Sequence, residues 1–149
     1  MWISGQHRIN SQVQDTSIKT IQERASLYER IGGHQGIAKL LRHFYADVRQ
    51  HRVIGAIFNE RITDWPAHLA KIGEFWARAT GGPSTYSGQM PLKHLNLDLE
   101  PRHFGAWLEL WDANCRCCLP PREAGEMSAL AHEIGRRLGQ FVSRGNARD

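Results

Sequence analysis

The sequence predicts an all-α domain, and three observations carry that prediction. First, Ile37, Leu40, Leu41, Phe44, Tyr45 and Val48 recur at i, i+3, i+4, i+7, i+8 and i+11 with polar or small residues between them. This is the period of an amphipathic helix. Second, three further segments repeat that spacing, and each is bounded by proline or glycine stop signals. Third, no segment shows two-residue alternation between hairpin turns. The 149 residues suit one ordinary domain with a core that needs no staples.

The first 15 residues are polar, rich in Gln, Ser and Asn, and without period. They belong to an N-terminal extension over 1–25, expected to be mobile. A helix begins within 16–31, with Leu27, Tyr28 and Ile31 on one side, and Gly32-Gly33 stops it. The strongest helix spans about 34–50. Val53 to Phe58 form a short apolar segment. Thr63 or Asp64 then offers an N-cap, with Pro66 in the first turn of the next helix. On that helix His68, Ile72, Phe75 and Trp76 share one face, and Thr80-Gly81-Gly82-Pro83 ends it. Residues 84–99 are mixed, with a turn at Ser87-Gly88 and a short helix beginning near Met90-Pro91. Glu100-Pro101 opens a helix whose face is Phe104, Trp107, Leu108, Trp111 and Cys115, broken at Leu119-Pro120-Pro121. The last helix runs over about 121–143 with Met127, Leu130, Ala131, Ile134, Leu138 and Phe141 inside, followed by a tail over 144–149.

Composition excludes several classes. Hydrophobic residues make up 41%, with five Trp, so the chain is globular rather than disordered. Its longest apolar run, Val53 to Phe58, is too short to span a bilayer. The N-terminus has no apolar h-region, so no secretory signal is read there and the expected location is the cytoplasm. The net charge of +4 arises from Lys and Arg scattered among acids, as in Glu23-Arg24 and Glu29-Arg30. This reads as a solvated surface and not a nucleic-acid interface. Cys115, Cys117 and Cys118 are odd in number and clustered, which is no disulfide framework. Their C-x-x-C fits a redox pair or half a zinc site; the plain alternative is small apolar side chains at a helix end. There is no phosphate-binding glycine loop, G-x-S-x-G or H-E-x-x-H.

Of eight histidines, His7, His34, His43, His51, His103 and His132 occupy polar or boundary positions and read as solvated. His68 and His94 differ. One heads an apolar helix face; the other sits among Met90, Leu92, Leu95 and Leu97. Two such imidazoles in an all-α chain suit either satisfied core positions or haem ligation, for which imidazole is the usual ligand in oxygen-binding proteins. Tyr45 and Trp107 also lie on apolar faces, where a phenol O–H or indole N–H needs a partner.

The stretches LYERIGG (27–33), FYADVR (44–49), IFN (57–59), DWPAHLAKIGEFW (64–76), GGPSTYSG (81–88), PLKHLNL (91–97) and HFGAWLELW (103–111) together resemble the truncated haemoglobins, over about residues 26–140. His68, IFN, DWPAHL and PLKHLNL are similar to the third group of that family. LYERIGG and GGP are similar to the first or second, Trp107 fits the second and third, and the overall resemblance leans to the third. It implies a two-over-two helical sandwich over 26–143 around a haem. It also implies His94 as the proximal iron ligand, Tyr45 and Trp107 as donors to the bound ligand, and His68 as a distal ligand, donor or gate. Phe44, Phe58, Leu69, Ile72, Phe75 and Trp76 would line or back the pocket, with Tyr86 and Lys93 toward the haem propionates. The cofactor implied is haem b, held non-covalently, since no C-x-x-C-H signature is present. The function implied is binding of dioxygen and other diatomic ligands (NO, CO). A redox role such as NO detoxification or peroxide reduction would need an electron-donor reductase. A haem-based sensor and a haem-free helical interaction domain are the alternatives. The cysteines and the N-terminal extension lie outside the family pattern and receive no role.

Overall fold

Among the described residues, six helices form where the apolar periods and stop signals fall. The computed structural model describes residues 25–89 and 98–146. The helices are α1 (Leu27–Arg30), α2 (Gly33–Gln50), α3 (Gly55–Arg61), α4 (Trp65–Ala79), α5 (Pro101–Cys118) and α6 (Pro121–Asn146). No strand occurs among the described residues. Of the segment expected to start a helix within 16–31, only 27–30 is helical among the described residues. The apolar segment 53–58 gives way to a full helical turn and more in α3.

Local chemistry sets the boundaries. Ser26 caps α1 by accepting from the Glu29 N–H at 3.2 Å. Gly32 and Gly33 adopt φ of 99° and 65°, a left-handed turn that glycine makes without penalty. Gly36 is needed for a different reason: a Cβ there would lie 1.9 Å from the Ile31 carbonyl oxygen. Of the two cap candidates before α4, Asp64 is the one used, accepting from the Ala67 N–H at 3.1 Å, with Pro66 in the first turn. At the head of α5, the Glu100 N–H donates to His103 Nδ1 at 2.8 Å.

Helices α2 and α4 pack as one pair, α5 and α6 as another, and α2 crosses onto α5 to join them. The junction is aromatic. Trp76 of α4 stacks on Trp111 of α5 at 4.4 Å between ring centroids and 14° between planes. Trp107 stacks on Trp111 from the other side at 5.6 Å and 5°. Phe44 of α2 stands edge-on to both indoles, at 5.4 and 4.9 Å. These are the offset and edge-to-face arrangements that ring quadrupoles favour. Trp111 is fully buried and donates its N–H to the Met127 carbonyl of α6 at 3.2 Å, so no polar atom is stranded there. The rest of the core follows the predicted faces: Ile37, Leu40, Leu41 and Val48 from α2, and Met127 and Ala131 from α6.

Polar links fasten the pairs. Arg30 of α1 reaches Glu123 and Glu126 of α6 at 3.2 and 2.7 Å, with only 15% of its side chain exposed. Buried Asn114 donates to Asp47 of α2 at 3.0 Å and to the Leu110 carbonyl at 2.9 Å. Asp112 takes bonds from Ser128 (2.6 Å) and His132 (2.8 Å), joining α5 to α6.

Candidate functional site

Between the two helix pairs lies a cavity of about 800 Å³, within the range typical of small-molecule and cofactor sites. Its walls are largely apolar. Ile54, Phe58, Ile72, Phe75, Phe104 and Leu138 bring side chains from α4, α5, α6 and the region of α3. Among the side chains in the wall, Tyr45 of α2, His68 of α4 and Trp107 of α5 carry a polar group in otherwise largely apolar surroundings.

Tyr45 is 4% exposed. Its position follows from α2, whose apolar stripe turns toward the cavity just where Tyr45 stands. Burial drives its pKa well above the usual tyrosine value, because a phenolate would lose its hydration. A hydrogen bond from Trp107 opposes this and is the weaker influence. The indole N–H can only donate, so the Tyr45 oxygen accepts from Trp107 and its own O–H remains the group able to donate. Around Tyr45 the rings of Phe44, Phe58 and His68 stand edge-on at 4.8, 5.8 and 5.7 Å. His68, one turn into α4, lines the cavity beside it.

The rim is polar. Arg61 of α3, with Lys71 and Glu74 of α4, edges the opening together with Thr85, Tyr86, Ser87 and Gln89. The Glu74 carboxylate accepts from the Thr85 N–H at 2.9 Å and pairs with His34 at 3.1 Å. The Thr85 N–H and, to a lesser degree, His34 hold its pKa below the usual value. The Ser84 hydroxyl donates to the Glu74 carbonyl at 2.5 Å, and Tyr28 bonds to the far nitrogen of His34. The segment 84–87 is thereby strapped to α4.

Most of the expected residues gather here: Tyr45, Phe58, His68, Ile72, Phe75, Trp76, Tyr86 and Trp107 all line the cavity. Phe44 and Leu69 do not. Each is one residue beyond or before a lining position, and a step of about 100° along a helix turns it away. Phe44 instead packs wholly buried on the Trp107 and Trp111 indoles, and Leu69 packs half-buried against the core. His94 and Lys93 lie outside the described residues. His103, read as solvated, is half-buried, caps α5 and lines the cavity. Phe104 and Leu138 are lining residues whose signal was present, since both lie on faces assigned to the core. Arg61 and Lys71 had no sequence signal, being two charges among many.

The cysteines give no site. Cys115 is buried and its thiol is pushed up to about 12 by desolvation, with Asp112 adding to it. Cys118 is raised too, by burial first and then by its neighbour Cys117. Thiols so held are protonated at neutral pH and are poor nucleophiles. Among the described residues no group of three or more His, Cys, Asp and Glu could hold a metal ion. Nor is any described helix long and apolar enough to cross a membrane.

Two crossed helix pairs enclosing an apolar slot, with a tyrosine on the long second helix reaching into it, define the truncated class of globin fold. The chain belongs to the bacterial-like globin family, whose model matches residues 26–116. The group 3 truncated hemoglobin ctb of Campylobacter jejuni is 42% identical over 83 residues, 52% of this chain and 65% of that relative. The group 1 truncated hemoglobin GlbN of Mycolicibacterium paratuberculosis is 35% identical over 85 residues, 56% of this chain and 60% of its own length. Each alignment thus spans less than two thirds of the relative. The crystal structure of a group III truncated hemoglobin from Campylobacter jejuni superposes with a TM-score of 0.69 at 33% identity, covering 74% of this chain and 91% of that one. A group II protein from Bacillus anthracis shares the fold at 23% identity, with a TM-score of 0.63 over 79% of this chain and 90% of its own. Globins as a family are haem proteins that bind small ligands.

Proposed function

We propose that the cavity holds haem b non-covalently, with His94 as the iron ligand, and that the protein binds dioxygen, NO and CO with slow release suited to redox chemistry on the ligand. The observation that carries this reading is the Tyr45–Trp107 pair: a protonated phenol bonded to an indole inside an apolar cavity of about 800 Å³. The residues fit the group. Flat apolar side chains such as Phe58, Ile72 and Phe75 suit the faces of a macrocycle. Arg61 and Lys71 at the rim suit its carboxylates.

The haem supplies an iron centre that takes up a diatomic ligand. The chain does the rest. Its apolar wall keeps water away from the iron. Tyr45 would donate a hydrogen bond to a polar ligand held beside it, and Trp107 would orient the phenol or donate directly. His68, beside them, guards access. A hydrogen bond to a charged acceptor is worth about 1.5–3 kcal/mol, which slows release about ten- to hundredfold. A ligand held that long suits turnover, such as NO detoxification or peroxide reduction, better than bulk delivery. Such turnover needs an electron-donor reductase as partner, in the cytoplasm.

The test is spectroscopic. The purified protein shows a Soret band, His94→Ala loses it or shifts it, and acidified organic solvent extracts the pigment. A colourless, stably folded protein would overturn the proposal, and pigment retained by the protein on extraction would overturn its non-covalent part.

A further inference from the structure

Residues 83–87 carry neither helix nor strand, yet Thr85, Tyr86 and Ser87 form part of the cavity wall. Without a ladder of its own, such a segment satisfies its backbone through bonds to its neighbours. One turn of α4 supplies them. The Glu74 carboxylate accepts from the Thr85 N–H at 2.9 Å, and the Glu74 carbonyl accepts from the Ser84 hydroxyl at 2.5 Å. The same Ser84 oxygen accepts from the Tyr86 N–H at 3.1 Å. One turn further, Arg78 donates to the Tyr86 carbonyl at 3.3 Å and sets its guanidinium 5.7 Å from the centroid of the Tyr86 ring. That ring stands edge-on to Phe75 at 5.2 Å and 81°. The Glu74 carboxylate is held in turn from α2. Its other oxygen lies 3.1 Å from His34 Nε2, and Nδ1 of His34 bonds to the Tyr28 hydroxyl. An ionised carboxylate only accepts, so Nε2 carries the proton and Nδ1 accepts from the phenol. Tyr28 is fixed as well. Its ring lies so close to Gly82 that no Cβ fits there, and its N–H donates to the Thr80 carbonyl at 2.9 Å. Glu74 is therefore the joint between a polar chain that begins on α1 and the irregular segment of the wall.

We propose that Glu74 is a positioning residue for Tyr86: by holding the Thr85 N–H, its carboxylate, backed by His34 and Tyr28, keeps the Tyr86 ring in the cavity wall and so governs how firmly the cavity keeps its haem. The inference rests on the reading of the cavity as the haem site. Without the carboxylate the Thr85 N–H turns to water. Thr85 adjoins Tyr86, so a shift of its backbone carries the ring with it. Water then reaches the side of the cavity that Tyr86 and Phe75 cover. The Glu74 side chain is 29% exposed, so its bond is worth an ordinary hydrogen bond and not a buried charged one. That sets the change at about two- to tenfold.

The experiment measures two rates in the wild-type protein, Glu74→Ala, Glu74→Gln, Tyr86→Leu and the Glu74→Ala/Tyr86→Leu double variant. One is deuterium exchange of the peptide spanning 84–87, read by mass spectrometry. The other is haem loss to an excess of a haem-free acceptor globin. Glu74→Ala is expected to raise both about two- to tenfold. Glu74→Gln keeps an oxygen for the Thr85 N–H and is expected to fall between Glu74→Ala and wild type. Tyr86→Leu is expected to speed haem loss by itself, and in that background Glu74→Ala is expected to add nothing to it. Unchanged exchange or unchanged haem loss in Glu74→Ala overturns the proposal. So does an equal acceleration of haem loss in the Tyr86→Leu background, or a Glu74→Gln protein no slower than Glu74→Ala. Should Glu74→Ala not fold, His34→Phe serves as the second variant, since it strips one partner of the carboxylate and spares the Thr85 bond. It is expected to act in the same direction and more weakly, and no change in it counts against the proposal. Should the protein purify without haem, the cofactor reading fails while the hold on the wall is still decided: exchange at 84–87 rises in Glu74→Ala if the carboxylate holds the segment and stays put if it does not.

Discussion

Replacing Tyr45 by Phe removes one oxygen and keeps the ring. The packing of that ring on Phe44, Phe58, Trp65 and His68 is retained, so the change isolates the hydroxyl. Two interactions go with it: the donor to the bound ligand and the acceptor for the Trp107 N–H. Losing the donor to a charged acceptor costs about 1.5–3 kcal/mol of ligand stabilisation. The indole N–H, released from the phenol, can turn to the ligand and recover about 1 kcal/mol as an ordinary hydrogen bond. The net loss is about 0.5–2 kcal/mol, or roughly two- to thirtyfold in the dissociation rate. Stopped-flow replacement of dioxygen by carbon monoxide measures that rate. Removing the second donor as well, in Tyr45→Phe/Trp107→Leu, is expected to exceed either single change by more than their product, because the compensation is lost. Carbon monoxide gains less negative charge than dioxygen on binding, and its own dissociation is expected to change less. Unchanged dioxygen release in both the single and the double variant would refute the hydrogen-bonding role.

Two further outcomes follow from local geometry. Gly36→Ala should raise stability by about 0.5–1 kcal/mol on helix propensity alone. The Cβ would instead meet the Ile31 carbonyl oxygen at 1.9 Å, and backbone cannot rotate aside as a side chain can. A loss of about 3 kcal/mol is expected, seen as a fall of roughly 10 °C in thermal midpoint; a rise would show that the α1–α2 corner yields. Glu74 has a lowered pKa in the folded chain, so its bonds stabilise the fold above the unfolded glutamate value of about 4.3 and cease to do so as pH falls through the folded value. Urea titrations should therefore find Glu74→Gln less stable than wild type at pH 7, with the gap closing below about pH 4; a gap that widens in acid would contradict the assignment.

Much of this molecule was legible in the chain itself. The spacing of Ile37 to Val48 determined α2 and its buried face. Pro66, Pro101 and Pro121 with their neighbours determined where three other helices begin, because a proline ring is compatible only with the first turn. The resemblance of FYADVR, DWPAHL and HFGAWLELW to the truncated haemoglobins implied roles for Tyr45, His68 and Trp107; the helix boundaries needed no such resemblance. These are local properties, and a helical period or a cap can be read from a dozen residues. What a helix face meets cannot. Phe44 and Tyr45 are neighbours on one apolar stripe, and only the crossing of α2 over α5 sends the first into the tryptophan stack and the second into the cavity. His103 looked like one more charged-surface histidine, and only the placement of α5 put it in the cavity wall. Glu74 carried no signal beyond one acid among many. Its place between His34 and Thr85 exists because α2 and α4 lie side by side and the chain after α4 turns back along it, a relation between segments distant in the chain that no local pattern encodes.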